Sequence, residues 1–339
     1  MNFVRKLLFR NLFAKEPIEV SPVIDIPFQE EIDSYPFTEV FLSPGGSDIM
    51  FTVVFKKSVQ LCRMSLQTMQ PRLIKGLKGV IVSPALTQDN SCYLLTSLAI
   101  QEFDVSTDQF LRTETKGFEF GPSSRFIPLG DLRHLVLQHY MGQTMQLFSI
   151  ERWAVVKTLR SPASDLYIKQ NDLHRFLSFA RQKESIYDAN FNKVDERALP
   201  LGKSPFFYKG KIYLILSKKR RIEYCDPDDI FHLESCELLQ SFDASSLEPT
   251  GPPVRVRGLE KVLGISSSGP VLVGLNKNCR QLYIIDPDSF RVCRVVETPL
   301  LGCNGRCLLD GDRVIIVGQR WQAKIKRPTY SYQLIPTLY

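Results

Sequence analysis

One pattern returns seven times along the 339-residue chain and restricts its fold more than any other feature. A short apolar run ends on a small or acidic residue, a polar corner follows, and a second apolar run leaves the corner. The copies read QLCRMSLQTMQPRLI (60–74), AIQEFDVSTDQFLRT (99–113), MQLFSIERWAVVKTL (145–159), ESIYDANFNKVDERAL (184–199), RIEYCDPDDIFHLESCELL (221–239), QLYIIDPDSFRVCRVVE (281–297) and, more weakly, AKIKRPTYSYQLIP (323–336). The corner residues Ser65, Asp104, Ser149, Asp188, Asp226 and Asp286 are separated by 39, 45, 39, 38 and 60 residues. The long interval contains SFDASSLEPTGPP (241–253), whose Ser, Pro and Gly read as an inserted loop.

Two further short apolar runs precede each corner. In the sixth unit they are KVLGIS (261–266) and PVLVGL (270–275), and in the seventh RCLLD (306–310) and RVIIVG (313–318). Each unit therefore reads as four short strands joined by tight turns. Helical periodicity is absent after residue 36, and a period near 40 residues is that of a propeller blade. The predicted fold is all-β: a seven-bladed β-propeller of four-stranded antiparallel blades over 37–339, with an N-terminal helical extension and tether over 1–36. The last unit is expected to supply four strands itself, ending in SYQLIPTL (331–338), with PVIDIPF (22–28) adding a strand outside it.

LYIIDPDSFRV (282–292) is similar to the strand and Asp-Pro-Asp turn of YVTN-type repeats. Over roughly residues 37–339 the chain resembles the WD40 and YVTN-like seven-bladed propellers, at the level of architecture. Trp-Asp and Gly-His dipeptides, the marks of WD40 repeats proper, are absent from the sequence.

Composition narrows the class only slightly. A hydrophobic content of 44% with 23% charged residues suits a chain able to bury a full core. The net charge of +7 permits an anionic partner without requiring one. Eight scattered cysteines, mostly in apolar runs, suggest a reducing intracellular compartment. No apolar run is long enough to span a membrane as a helix. Arg5, Lys6 and Arg10 interrupt any signal-peptide core.

Candidate chemistry is sparse. Asp286 and Asp288 lack the further ligands and the Gly of a calcium loop, and Asp-Pro commonly opens a turn. His134 and His139 fall on opposite faces of RHLVLQHY (133–140), while His174 and His232 lie in other units. Cys303 and Cys307 of CNGRC (303–307) read as packing residues beside a turn. GISSSG (264–269) misses the spacing of a nucleophile elbow, and SPGGSD (43–48) lacks the lysine of a phosphate loop. No catalytic, cofactor or metal site is expected.

Two segments break the repeat. MNFVRKLLFRNLFAKE (1–16) is basic and apolar on more than one side of a helix, with Phe3, Leu7, Leu8, Phe9, Leu12 and Phe13 as docking candidates. It resembles a mitochondrial targeting segment, an anionic-surface binder or a helix that inserts into a partner. SKKRRIE (217–223) places Lys218, Lys219, Arg220 and Arg221 between two strands of the fifth unit, where RNA, an anionic surface or an acidic protein can meet them. The expected function is a non-catalytic scaffold, a protein–protein interaction subunit of a larger macromolecular assembly. The alternatives are an enzyme, hydrolase or lyase, working at the channel mouth, and an RNA- or anionic-surface-binding propeller.

Overall fold

A computed structural model describes residues 18–33, 39–86, 91–115, 124–129, 133–138, 144–160, 164–179, 181–220, 234–256, 258–267, 272–276, 281–300, 306–322, 327–336 and 338. The helix expected over 1–16 lies outside them. Among the described residues all regular structure is strand, and no helix is long and apolar enough to cross a membrane.

Seven four-stranded antiparallel sheets form the predicted seven-bladed propeller. The chain opens with β1 (Ile24–Asp25) and then enters the first blade, β2 (Val40–Leu42), β3 (Asp48–Phe55), β4 (Ser58–Ser65) and β5 (Pro71–Ile74). Blade two is β6 (Ile81–Leu86), β7 (Ser91–Thr96), β8 (Ile100–Asp104) and β9 (Gln109–Glu114). Blade three is β10 (Arg125–Pro128), β11 (His134–Gln138), β12 (Thr144–Ser149) and β13 (Ala154–Arg160). Blade four is β14 (Leu166–Gln170), β15 (Leu173–Ser178), β16 (Lys183–Tyr187) and β17 (Lys193–Ala198). Blade five is β18 (Lys203–Tyr208), β19 (Lys211–Arg220), β20 (Glu234–Asp243) and β21 (Val254–Arg255). Blade six is β22 (Leu259–Ile265), β23 (Leu272–Asn276), β24 (Gln281–Ile285) and β25 (Val292–Glu297). Blade seven takes β26 (Arg306–Asp310), β27 (Arg313–Gln322) and β28 (Arg327–Ile335), and its fourth strand is β1.

Strand alternation sends successive side chains to opposite faces, so each sheet has two apolar faces to cover. The core is accordingly divided among the seven blade junctions. On β3, Ile49, Phe51 and Val53 pack with Ile315, Val317 and Tyr330 of blade seven, whereas Met50 between them packs with Ile81, Cys92 and Leu94 of blade two. On β19, Tyr213 and Ile215 face blade six while Ile212 and Leu214 face blade four. The outermost strand β17 is exposed throughout, and its Lys193, Asp195, Glu196 and Arg197 protect an otherwise open sheet edge.

The corners are architectural. Ser65 Oγ accepts the N–H of Gln67 and Thr68, Asp104 Oδ1 that of Ser106, and Asp188 Oδ1 those of Asn190 and Asn192. Asp286 Oδ1 accepts the N–H of Asp288 and Ser289, so this carboxylate caps its own turn. Three or four residues after each corner residue the backbone turns left-handed, at Met69, Asp108, Trp153, Phe191 and Phe290. Such a conformation costs an L-residue about 1–2 kcal/mol, which the capped turn and buried strands offset.

The fifth corner differs from the sequence reading. Asp243 makes the capped turn, accepting from Ser245 and Ser246, with Leu247 at φ 63°. The stretch 241–253 is thus the corner itself, not an insertion. The extra length lies between β19 and β20, and Asp226 falls outside the described residues. Ring closure also differs: β27 and β28 are long single strands, so blade seven supplies three strands and takes its fourth from the N-terminal segment. The expected outer strand at 22–28 is therefore present and is needed to complete the sheet.

The segment read as a tether is seated on the ring over 18–33. Ser21 N–H donates to Leu334 O while Ser21 Oγ accepts the Leu334 N–H, and Ile26 N–H donates to Tyr330 O. Asp25 Oδ1 accepts from Arg320 Nη2 at 2.8 Å and from Ser331 Oγ at 2.6 Å. Ile26 and Ile32 are buried in the junction of blades seven and one, and Asp33 N–H donates to Val54 O of blade one. Replacing Asp25 with Ala removes a charge-assisted closure and is expected to cost about 1–3 kcal/mol of unfolding free energy in urea denaturation, with an unchanged far-ultraviolet spectrum.

Candidate functional site

Where charged side chains are drawn into the ring, most of them clasp one blade to the next. Arg63 of β4 binds Asp48 of its own blade through Nε and Nη2, and its Nη1 reaches Val105 O and Asp108 Oδ1 in the corner of blade two. Arg112 of β9 pairs with Glu102, donates to Ile150 O in the corner of blade three at 3.0 Å, and lies 4.2 Å over the Trp153 ring. Arg175 of β15 pairs with Glu184 and donates to Ala244 O in the corner of blade five. In all three cases the acceptor is the carbonyl of the residue immediately after the corner residue. The arginines come from the third, fourth and second strands of their blades, so three sequence positions converge on one structural position.

The Arg175–Glu184 pair is buried, with side chains 3% and 0% exposed. Burial strips water from both charges, so their mutual attraction and hydrogen bonds must compensate for lost hydration. Among the described residues Arg175 Nη2 and Glu184 Oε2 find no hydrogen-bond partner. The clasp is therefore intolerant of losing one member.

At two of the other junctions no such arginine is seen among the described residues, and a pocket opens at the same place. Between blades three and four a pocket of about 360 Å³ is lined by His134, Leu147, Lys157, Lys169, Asp172, His174 and Phe191, with Ala189, the residue after corner Asp188, in its wall. His174 stacks on Phe191 with ring centroids 4.0 Å apart, and its Nδ1 lies 2.9 Å from Tyr167 Oη. His134 sits 6.3 Å from the same Phe191 ring, so histidines expected to lie apart come together around one phenylalanine. Lys157 Nζ donates to Asn190 O and Asn192 Oδ1, a shorter substitute for the arginine clasp. Between blades five and six a smaller pocket of about 180 Å³ is lined by Tyr208, Lys209, Lys211, Tyr213 and Asp288, with Pro287, the residue after corner Asp286, in its wall. Among the described residues no group of three or more His, Cys, Asp or Glu side chains is arranged to hold a metal.

The opposite face of the ring carries a belt of charge where the innermost strands begin. Glu39 precedes β2, Arg125 opens β10, Asp165 precedes β14, Lys203 opens β18, Glu260 and Lys261 lie in β22, and Arg306 opens β26. Lys203 Nζ meets Glu260 Oε2 at 2.8 Å across blades five and six, and Arg125 approaches Asp165 at 3.8 Å across blades three and four. Desolvation raises the Glu39 carboxyl above its ordinary value, with Arg306 and Lys261 opposing the shift.

Of the sequence candidates, Phe3, Leu7, Leu8, Phe9, Leu12, Phe13 and Arg221 lie outside the described residues, as do His139, His232 and Cys303. Lys218, Lys219 and Arg220 belong to the end of β19, not to a loop, in register with Cys236, Ser235 and Glu234 of β20. Residues 217–220 and 234–237 pair only with each other: β18 pairs with β19 as far as Ile215, and β21 pairs with β20 at Leu238 and Leu239. They form a two-stranded ribbon that leaves the blade. Cys307 packs against the junction of blades six and seven, where burial pushes its thiol up, the packing role expected of it. The signal sequence reasoning missed is periodic, since His134 and His174 are one blade length apart.

Arg175→Ala is expected to lower unfolding free energy by about 3–5 kcal/mol, because Glu184 is left buried and unpaired. The double variant Arg175→Met, Glu184→Leu should lose less, and urea midpoints of the two distinguish an ionic clasp from simple packing. Glu39 is bound more tightly by protons in the folded than in the unfolded chain, so it opposes folding above its unfolded value. Glu39→Gln is therefore expected to raise the thermal midpoint at pH 7, with the gain disappearing below about pH 4, where both states are protonated.

No family model matches the chain, and no curated protein matches it. Solved propellers do. A chain of Kuenenia stuttgartiensis hydrazine synthase is similar with a TM-score of 0.60 at 12% identity, covering 89% of this chain and 97% of that one. The Neurospora crassa Pan2 WD40 domain is similar with a TM-score of 0.57 at 11% identity, covering 89% and 90%. KlHsv2 with its loop 6CD replaced by a Gly-Ser linker gives 0.53 at 11% identity, covering 88% and 99%. At these identities the likeness is one of fold, and the chain is a seven-bladed propeller of WD40-like architecture.

Proposed function

We propose that this chain is a non-catalytic propeller that serves as an interaction subunit of a larger assembly, docking through residues 1–16 and the blade-five ribbon. The ribbon carries the reading. Strands of ten residues project past both of their sheet neighbours and bring Lys218, Lys219 and Arg220 off the ring. A projection of this kind lies beyond the blade's four-stranded pairing, and exposed extensions of a rigid ring commonly carry binding. The polar groups drawn into the ring support the same reading, because the arginine clasps and the Lys203–Glu260 pair join neighbouring blades. The basic, acid-poor opening segment fits a mitochondrial setting, which belongs to the same proposal.

The experiment is affinity purification from the native source with three forms: intact, lacking residues 1–16, and with 218–236 replaced by a two-residue turn. Each deletion is expected to reduce co-purifying protein while leaving the thermal midpoint of the ring within about 3 °C of the intact chain. The same partner set at undiminished yield in both shortened forms would falsify the docking assignment.

A further inference from the structure

The pocket between blades three and four has the features of a ligand site, and we propose that it binds a small organic anion, a carboxylate or phosphate carried on a flat apolar body. The first observation is positional. Where arginines 63, 112 and 175 fill the space beside the following blade's corner, this junction keeps about 360 Å³ open, within the size range of small-molecule sites. The second is chemical. Lys157 and Lys169 both line the pocket, the imidazoles of His134 and His174 line it from two different blades, and the Lys169 ammonium makes no hydrogen bond or ion pair among the described residues.

Two carboxylates stand near these cations. Asp172 lines the pocket. Asp188 is turned into its own corner, accepting the backbone N–H groups of Asn190 and Asn192 and the Asn192 side-chain amide. In the pocket wall a single carboxylate, Asp172, stands beside two lysines, so an anion entering from solvent meets a net positive charge next to the two imidazole rings. Phe191, Leu147 and Val156 supply the apolar wall, and His174 is held against Phe191 by its contact with Tyr167, so the aromatic surface is already ordered. Pre-positioned groups lose little freedom on binding, which favours a small ligand. The smaller pocket between blades five and six repeats the composition with Lys209, Lys211, Asp288, Tyr208 and Tyr213, the same lysine-rich lining at another junction where no such arginine is seen among the described residues.

The site is independent of the docking proposal, and its test uses small molecules on the intact chain. Histidine ring carbons are labelled, and the His134 and His174 signals are assigned with His134→Gln and His174→Gln. Benzoate, phenyl phosphate and the cation benzylamine are titrated separately. At least one of the two anions is expected to move both signals saturably with a dissociation constant of about 1 mM or tighter, while benzylamine does not. The stronger of benzoate and phenyl phosphate identifies carboxylate or phosphate as the preferred group. Lys169→Ala, at an exposed strand position, should weaken that binding by about threefold or more, and Lys57→Ala, on a turn of blade one at the other face of the ring, should leave it unchanged. The proposal is overturned if neither anion produces a saturable shift, if benzylamine matches them, or if Lys169→Ala binds as the intact chain does.

Discussion

The structure depends on a demand that a single blade cannot meet: a short sheet with two apolar faces must have a neighbour on each side. Alternating residues such as Ile49, Met50 and Phe51 commit one strand to two different junctions, so no blade has a private core. The first and last blades are under the same demand, which is why β1 completes the sheet of blade seven before the chain enters blade one. Ile26 and Ile32 then bury themselves in the junction that closes the ring. Closure joins distant parts of the sequence, and its hydrogen bonds between Ser21 and Leu334 and between Asp25 and Arg320 span almost the whole chain.

Polar residues follow the same geometry. Inner strands are tied by a hydroxyl from the preceding blade: Thr52 Oγ1 accepts the N–H of Ile81, Ser83 Oγ that of Phe126, and Ser204 Oγ that of Val262. Near the other rim the arginine clasps perform the corresponding task by satisfying a corner carbonyl that the turn leaves unpaired. Satisfying that carbonyl requires a donor to arrive there, not any one strand to supply it. Arg63, Arg112 and Arg175 reach it from three different strand positions.

This explains which parts of the fold were legible in the sequence. Corners could be read because capping needs Ser or Asp at one place in every blade, and the apolar runs before them follow from burial on both faces. Asp226 misled because an Asp-Pro-Asp run has turn chemistry wherever it occurs, whereas Asp243 hides its cap in a Ser-rich stretch that resembles a loop. The last blade misled because β27 and β28 carry Arg320, Thr329 and Ser331 within continuous strands, and these polar residues, of which Arg320 and Ser331 serve the closure with Asp25, resemble a break. The clasps were invisible, since a recurrence in space without recurrence along a blade leaves no period to find.

The pocket beside His134 and His174 follows from the same rule. A ring closed by seven similar junctions has one place per junction where charge can be buried against the next corner. A blade that supplies a long guanidinium there gains a clasp and fills the space. Lys157 instead reaches the carbonyl of Asn190 with a shorter, narrower side chain, so contact between the blades survives while volume remains beside it. Leu147, Met145 and Phe176 keep that junction closed deeper in the ring, which allows the rim to stay open without loosening the fold. A repeat architecture can in this way exchange a structural contact for an open site at one junction, because the remaining junctions and the apolar layer beneath continue to hold the ring.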